Sequence, residues 1–149
     1  MFTKIHTGAI SGIEAVEVSV EVNVDGGGIG LFIVGLPDNT IKESQERIQA
    51  AFENSGYKLL AKKTVVNLAP ADLRKEGSQY DLPIAIGILI ATEQLVSQLI
   101  DGSMFIGELS LNGTLRPVKG VLSLVALARD RGIKRVFMPE ENCAEGAIV

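Results

Sequence analysis

The chain has 149 residues, of which 46% are hydrophobic and 21% are charged, and its 14 basic and 18 acidic side chains give a net charge of −4. This composition is typical of a globular domain and argues against a disordered, collagenous or coiled-coil protein. The negative charge disfavours binding of nucleic acid by the whole surface and leaves only a local basic patch open.

Compartment and membrane association are also constrained by the sequence. A single cysteine, Cys143, excludes an internal disulfide and favours a reducing compartment. The longest apolar stretch, from Leu82 to Thr92, is well short of the roughly 20 residues that span a bilayer. The N-terminal residues lack the pattern of a secretory signal. We therefore expect a cytoplasmic domain without a membrane partner.

The first third of the chain is predicted to form strands. Alternation of apolar and polar residues from Glu14 to Val24 predicts a strand with one solvated face. The glycine-rich segment Asp25 to Gly28 is interpreted as a hairpin turn before a second apolar strand, Ile29 to Leu36. These glycines do not match a dinucleotide-binding fingerprint, because the third glycine that the fingerprint requires is absent.

Helices and strands then alternate. Thr40 and Glu43 match a capping box at the start of a helix that Gly56 ends. Lys63 to Leu68 predicts a short strand, and the polar segment Ala69 to Tyr80 predicts a loop. The helix that follows is apolar nearly all round, which is typical of a helix sandwiched between layers. We expect five of its side chains to be largely buried: Leu82, Ile84, Ile86, Leu89 and Ile90.

The last third repeats this alternation. Asn112-Gly113 predicts a hairpin between strands at Met104 to Leu111 and Thr114 to Pro117. A helix from Gly120 to Arg131, a strand from Val136 to Met138 and a further helix start at Pro139 follow. The sequence therefore predicts one mixed α/β domain over residues 1–149, which we interpret as part of a longer protein.

Few residues suit metal or nucleotide chemistry. His6 and Cys143 are the only soft or borderline metal ligands and lie at opposite ends of the sequence, and no phosphate-binding P-loop motif is present. The loop Ala69 to Tyr80 places two cations beside Ser78, just before a helix N-terminus that favours anions. That loop either binds phosphate or activates a nucleophile, or it is a solvated connection with Asp81 capping the helix; composition favours the solvated connection.

Several sequence blocks, in order along nearly the whole chain, resemble the N-terminal domain of magnesium-chelatase-like proteins of the ComM/YifB type. The blocks are FIVGLPD (32–38), KES (42–44), ER (46–47), VNLAPADLRKEGS (66–78), DLPIA (81–85), GELSLNG (107–113) and RPVKG (116–120). In that family the domain precedes an AAA+ ATPase module. The resemblance implies that ATP and Mg²⁺ are held by that module and that this chain itself has no cofactor-binding or metal-binding residues.

The same domain is similar to the proteolytic domain of Lon peptidases. This similarity implies an α+β fold of two layers, shared with the second domain of a small-subunit ribosomal protein. The position of the Lon nucleophile falls on Gln79, and the position of its catalytic lysine falls on Leu122. An amide cannot act as the alkoxide nucleophile and a leucine cannot accept its proton, so we expect no catalytic residue here.

The resemblance implies a catalytically silent module beside an ATP-driven homo-oligomeric ring that remodels branched DNA during recombination or natural transformation. Two alternatives stay open: a serine peptidase that uses Ser78 and Lys119, and a subunit of a metal chelatase. Arg74 and Lys75 are the cations most suited to DNA, through avidity within a ring and not in the isolated domain. The candidate interaction loop comprises Asn67, Asp72, Arg74, Lys75, Ser78 and Asp81.

Overall fold

The two longest strands of the protein form an antiparallel pair. A computed structural model describes residues 1–148 and places β1 at Phe2–Ser11 and β2 at Glu14–Asp25. The strands pair from Phe2 opposite Asn23 to Ser11 opposite Glu14. Alternate side chains of β2 point to one face, and the valines Val18, Val20, Val22 and Val24 on that face are buried. The predicted strand over Glu14 to Val24 is confirmed.

Six strands form the main sheet, in the spatial order β3-β4-β2-β1-β5-β8. The remaining strands are β3 (Gly30–Val34), β4 (Lys63–Ala69), β5 (Ser103–Phe105), β6 (Glu108–Leu109), β7 (Leu115–Arg116) and β8 (Arg135–Phe137). Within the sheet, only β2 runs antiparallel to the other strands. β6 and β7 form a separate antiparallel hairpin around Asn112-Gly113, as predicted. The predicted strand Met104 to Leu111 is instead divided between β5 in the main sheet and β6 in the hairpin.

The prediction that β2 and β3 form a hairpin is wrong. β4 lies between them, pairing antiparallel with β2 and parallel with β3. The apolar side chains of β4 continue the buried rows of both neighbours, with Val66 opposite both Val22 and Ile33. A glycine-rich turn reverses the chain but does not determine which strand becomes the neighbour. The segment Asp25 to Gly28 is therefore insufficient to predict that β2 and β3 pair.

Five helices accompany the sheets in the described part of the chain. They are α1 (Asn39–Lys42), α2 (Ser44–Ser55), α3 (Asp81–Ala91), α4 (Val121–Asp130) and α5 (Cys143–Gly146), the last preceded by a 3₁₀ turn at Glu140–Asn142. Within residues 1–148, no helix combines the length and the apolar character needed to cross a membrane.

The helix expected after Pro37 is divided into two, and its cap differs from the prediction. The carboxylate of Asp38 accepts a hydrogen bond from the backbone N–H of Ile41 at 2.9 Å, so Asp38 and not Thr40 caps α1. Glu43 separates α1 from α2. The predicted end at Gly56 is confirmed, because this glycine has a left-handed φ of +82° that other residues rarely adopt.

α3 packs directly on one face of the sheet. A Cβ atom at Gly87 would lie 2.6 Å from Cγ2 of Val22, so only glycine allows this close approach. Ile84 and Leu89 are buried, as predicted. Leu82, Ile86 and Ile90 are only partly buried, because the helix covers one sheet face and its outer flank reaches solvent.

α4 lies on the opposite face of the sheet. A Cβ atom at Gly8 would lie 2.7 Å from a methyl of Leu124. Gly8 and Ile5 are three residues apart on β1, so they lie on opposite faces of the sheet. α4 therefore adds a partial further layer to the expected two-layer arrangement. The protein has the mixed α/β architecture that the sequence predicted, with a main core between α3 and the sheet.

Leu89→Ala should lower the free energy of unfolding by about 2–5 kcal/mol, from lost burial and the residual cavity, since this side chain is only 5% exposed. Urea denaturation measures the change. Val96→Ala is the control, because Val96 is 87% exposed and its truncation should cost less than about 0.5 kcal/mol. Equal losses for both variants would contradict the placement of α3 in the core.

Candidate functional site

Two loops are held side by side where β3 and β4 end. The backbone N–H of Lys75 donates to the carbonyl of Leu36, and the N–H of Asp38 donates to the carbonyl of Lys75, both at 3.0 Å. The bonds form a short parallel bridge between Pro37 and Lys75. We call residues 35–38 and 69–78, joined in this way, the locked loops.

The side chain of Lys75 is the internal brace of the locked loops. It is fully buried, and its ammonium group donates to the carbonyl of Gly35 at 2.8 Å and to that of Pro70. Burial lowers the pKa of Lys75, while the charge of Asp72 opposes this shift. The expectation that Lys75 contacts DNA or a partner is therefore corrected: its donors are directed into the fold.

Asp38 completes the lock from the other loop. One carboxylate oxygen accepts from Ile41 N–H, and the other accepts from Gly77 N–H at 3.1 Å. Gly35 has a φ of +104°, and a Cβ there would lie 2.3 Å from the carbonyl oxygen of Leu68. The residues that carry the densest part of the family resemblance thus have a clear role in fixing backbone geometry.

Asp81 lies at the centre of a second buried network. Its carboxylate accepts hydrogen bonds from Ser44 Oγ at 2.6 Å, Arg47 Nε at 2.6 Å and Leu109 N–H at 3.0 Å. Asp81 therefore does not cap α3; the helix begins after Tyr80 without a side-chain cap. The hydrogen bond to Asp81 raises the pKa of Arg47 and outweighs the opposing effect of burial. This network joins α2, α3 and β6.

The other residues of the candidate loop do not share one surface. Asn67 donates to Glu21 at 2.8 Å, on the sheet face opposite the core. Asp72 and Arg74 are exposed, and Arg74 forms an ion pair with Glu76 at 3.1 Å. Ser78 is partly buried. Arg74 is therefore the one cation of the Arg74-Lys75 pair that is available to a partner.

The two positions that match the Lon dyad hold residues without nucleophilic or basic groups. The carbonyl of Gln79 accepts a hydrogen bond from Gly107 N–H at 3.0 Å, which fixes this segment beside the end of β5. Leu122 lies in the first turn of α4 and is 42% exposed. Within residues 1–148, no hydrogen bond joins Ser78 to Lys119, although a nucleophile and its base require such contact.

An open cleft of about 400 Å³ lies outside the locked loops and is lined by Leu36, Pro37, Asp38, Asn39, Lys42 and Arg74. Leu36 has a φ of +56°, which is a strained backbone conformation for a non-glycine residue. Its side chain is 52% exposed. The locked loops hold this strained residue in place. Chemically, the arrangement offers an apolar side chain and two cations to a partner.

Sequence reasoning missed the Ser44–Arg47–Asp81 network. Asp81 is separated from its partners by 34 and 37 positions, and no periodicity links residues so far apart. Ser44 and Arg47 fall in blocks that carried the family resemblance, which was the one available signal. Within residues 1–148, no group of three or more His, Cys, Asp or Glu side chains is arranged to hold a metal ion.

Comparison with known proteins gives consistent matches over nearly the whole chain. The family model described as "Subunit ChlI of Mg-chelatase" matches residues 20–142. YifB of Escherichia coli is 44% identical over 145 residues, which is 97% of this chain. The competence protein ComM of Haemophilus influenzae is 41% identical over the same share.

Two further findings qualify these matches. The chain spans 28% of the length of YifB and of ComM. Lon protease 2 of Bacillus subtilis is 26% identical over 139 residues, covering 85% of this chain and 25% of that protein. The similarity to the Lon protease is thus much weaker than that to YifB and ComM.

Lys75→Ala should destabilise the protein by about 2–4 kcal/mol, because the carbonyls of Gly35 and Pro70 lose their buried donor. Arg74→Ala should change the free energy of unfolding by less than about 0.5 kcal/mol, since the side chain of Arg74 is 72% exposed. Chemical denaturation of the two neighbouring variants measures this contrast. A small effect of Lys75→Ala would show that the brace is dispensable.

Tyr80→Phe should not destabilise the protein at neutral pH. The hydroxyl of Tyr80 is buried and makes no hydrogen bond with the described residues. Burial chiefly raises the pKa of Tyr80 above its ordinary value of 10.0, with a contribution from Asp38. Above pH 10 the unfolded state therefore ionises first, and the wild type should lose stability relative to Tyr80→Phe. The free energy of unfolding of each protein, measured as a function of pH, tests this assignment. Identical curves for the two proteins above pH 10 would contradict it.

Proposed function

Because the chain belongs to the magnesium-chelatase-like family that includes YifB and ComM, we propose that it is a non-catalytic Lon-like module of an ATP-driven protein. The module serves assembly and the remodelling of branched DNA. The single observation that carries the non-catalytic part is the occupation of the Lon dyad positions by Gln79 and Leu122.

Chemistry supports the loss of peptidase activity. A serine peptidase requires a hydroxyl that a base deprotonates, and the base must lie within hydrogen-bond reach of that hydroxyl. Gln79 carries an amide and Leu122 carries no polar atom. Ser78 and Lys119 are the nearest substitutes in sequence, but they make no hydrogen bond with each other in the described residues. The fold of a peptidase-like domain is then used as a scaffold.

The proposed assembly role follows from rigidity combined with exposure. The locked loops fix the backbone at the ends of β3 and β4, while Leu36 and Arg74 project outward from it. A surface held in one conformation loses little entropy on binding, which favours association. ATP and Mg²⁺ would be held by an AAA+ module outside residues 1–149 in the longer protein.

The proposed DNA role rests on relatives and on avidity. The Haemophilus relative is a competence protein by name, which supports branch migration in natural transformation or recombination as the process. One copy of this chain, with a net charge of −4, offers DNA little attraction. A ring repeats Arg74 in every subunit, and multivalency raises avidity by roughly 10²–10⁴ without any new contact.

A metal-chelatase subunit is the second candidate function, because the matching family model describes a subunit of magnesium chelatase. It predicts ATP-dependent insertion of Mg²⁺ into a porphyrin by the full-length protein together with partner subunits. Formation of the magnesium porphyrin, measured by fluorescence, would favour this candidate over DNA remodelling.

The purified chain should hydrolyse neither casein nor peptides, and a fluorophosphonate probe should leave Ser78 unlabelled. The physical reason is the absence of a base in contact with a hydroxyl at the dyad positions. Ser78→Ala is the matched control for any trace of activity. If purified wild type cleaved casein and Ser78→Ala did not, the protein would be a peptidase with a shifted dyad.

In the full-length protein, Arg74→Glu should reduce DNA-stimulated ATP hydrolysis and branch migration on a synthetic four-way junction, because it reverses an outward charge in every subunit. Arg129→Glu is the control, since Arg129 is also largely exposed, at 62% against 72% for Arg74, and lies on α4, away from the locked loops. Deletion of residues 1–148 should abolish the DNA response. Full branch migration after that deletion would refute the proposed function.

A further inference from the structure

The terminal strand on one side of the main sheet and the residues that flank it expose four large apolar side chains. β3 is the terminal strand on this side in the described chain, and no strand covers its outer edge. Ile29, Phe32, Val34 and Leu36 are each at least 47% exposed and fall within eight residues of sequence. We call these four residues the apolar edge. Unprotected strand edges and exposed apolar side chains are typical of interfaces.

Cations stand at both ends of the apolar edge. Gly30 at the start of β3 donates its N–H to the carbonyl of Lys62, and Lys42 lines the cleft beside Leu36. Neither lysine forms an ion pair with another described residue, in contrast to Arg74, which pairs with Glu76. Asp38, the carboxylate within the cleft, is engaged by two backbone N–H groups. The edge therefore favours a partner that carries carboxylates around an apolar contact.

A surface with these properties lies at the opposite edge of the same sheet. β8 is the other terminal strand, and it leads through Pro139 into the 3₁₀ turn with Glu140 and Glu141 and then into α5 with Glu145. We call these three glutamates the acidic turn; all are exposed, and none forms an ion pair within the described chain. Ile148, 77% exposed, follows them and supplies an apolar contact.

The acidic turn is fixed in position as firmly as the apolar edge. Asn142 accepts a hydrogen bond from Val118 N–H at 2.9 Å and donates one to the Val118 carbonyl at 3.0 Å. Two bonds to one backbone unit clamp the turn against the segment before α4. Five strand spacings, about 24 Å, separate β3 from β8, so the two surfaces cannot meet within one copy.

We propose that the apolar edge of one copy docks on the acidic turn of a second copy of this chain. The two surfaces differ, so the contact is heterologous and its repetition generates a closed ring or a filament. Lys42 and Lys62 pair with the glutamates of the neighbour. The side chains of the apolar edge cover Ile148 beside the acidic turn. This assignment rests on the assembly part of the proposed function and identifies the surfaces that perform it.

Disulfide cross-linking of the purified full chain tests the proposal, because Cys143 lies exposed within the acidic-turn region. Leu36→Cys places a second thiol on the apolar edge. Under mild oxidation, Leu36→Cys should give a ladder of dimers, trimers and larger species. The wild type, and Leu36→Cys combined with Cys143→Ser, should each show no cross-linked species on a denaturing, non-reducing gel. A mixture of these last two proteins should give dimers only.

Two further variants control for random collision and for charge. Val96→Cys, at a more accessible site outside both surfaces, should give no ladder. Lys42→Glu with Lys62→Glu should abolish the ladder in the Leu36→Cys protein, as should reversal of the three glutamates to lysine. Mixing the two reversed proteins should restore cross-linking, because the signs are complementary again.

Four outcomes would overturn the proposal. Dimers of Leu36→Cys with Cys143→Ser would indicate that two apolar edges pair with each other. A ladder from Val96→Cys would indicate random collision, and a ladder that survives both charge reversals would remove the electrostatic basis. The experiment uses neither ATP nor DNA, so its failure is separable from failure of the remodelling assay. A missing ladder with intact branch migration refutes only these surfaces.

Discussion

The buried carboxylate of Asp81 is the interaction on which the arrangement of the helices depends. It accepts hydrogen bonds from α2 through Ser44 and Arg47 and from β6 through the Leu109 N–H. A charge with no exposure to water is tolerated only when its oxygens are satisfied in this way, and loss of one partner of such a pair typically costs about 3–5 kcal/mol. The network therefore fixes how α2 and the β6–β7 hairpin sit against α3.

The locked loops extend this rigidity to the surface. Lys75 and Asp38 together bind four backbone groups of neighbouring segments, which directs these bonds into the fold. Their charges thus stabilise geometry, and the outward side chains are the strained Leu36 and the exposed Arg74, which pairs with Glu76.

The distribution of charge across the sheet gives the module a direction. Within residues 1–148, Lys42 and Lys62 near β3 form no ion pair, and neither do the three glutamates that follow β8, although β8 itself begins at Arg135. A net charge of −4 conceals this asymmetry, since opposite charges at the two edges largely cancel in the sum. A directional module suits a ring in which every subunit uses the same pair of unlike surfaces.

The sequence by itself determined the elements whose signals are local. The alternation along β2, the end of α2 at Gly56, the hairpin at Asn112-Gly113 and the family resemblance all depend on residues close together in the chain. Strand order was not determined, because β4 pairs with β2 through contacts that the turn at Gly26 does not encode.

Only the tertiary structure decided the roles of the charged residues. Arg74 and Lys75 are adjacent in sequence, and yet one faces solvent and the other is fully buried. Asp81 was interpreted as a helix cap because caps are local, but its partners lie 34 and 37 positions away. The physical reason is that burial and ion pairing depend on which segments the fold brings together, and residue type and spacing do not record that.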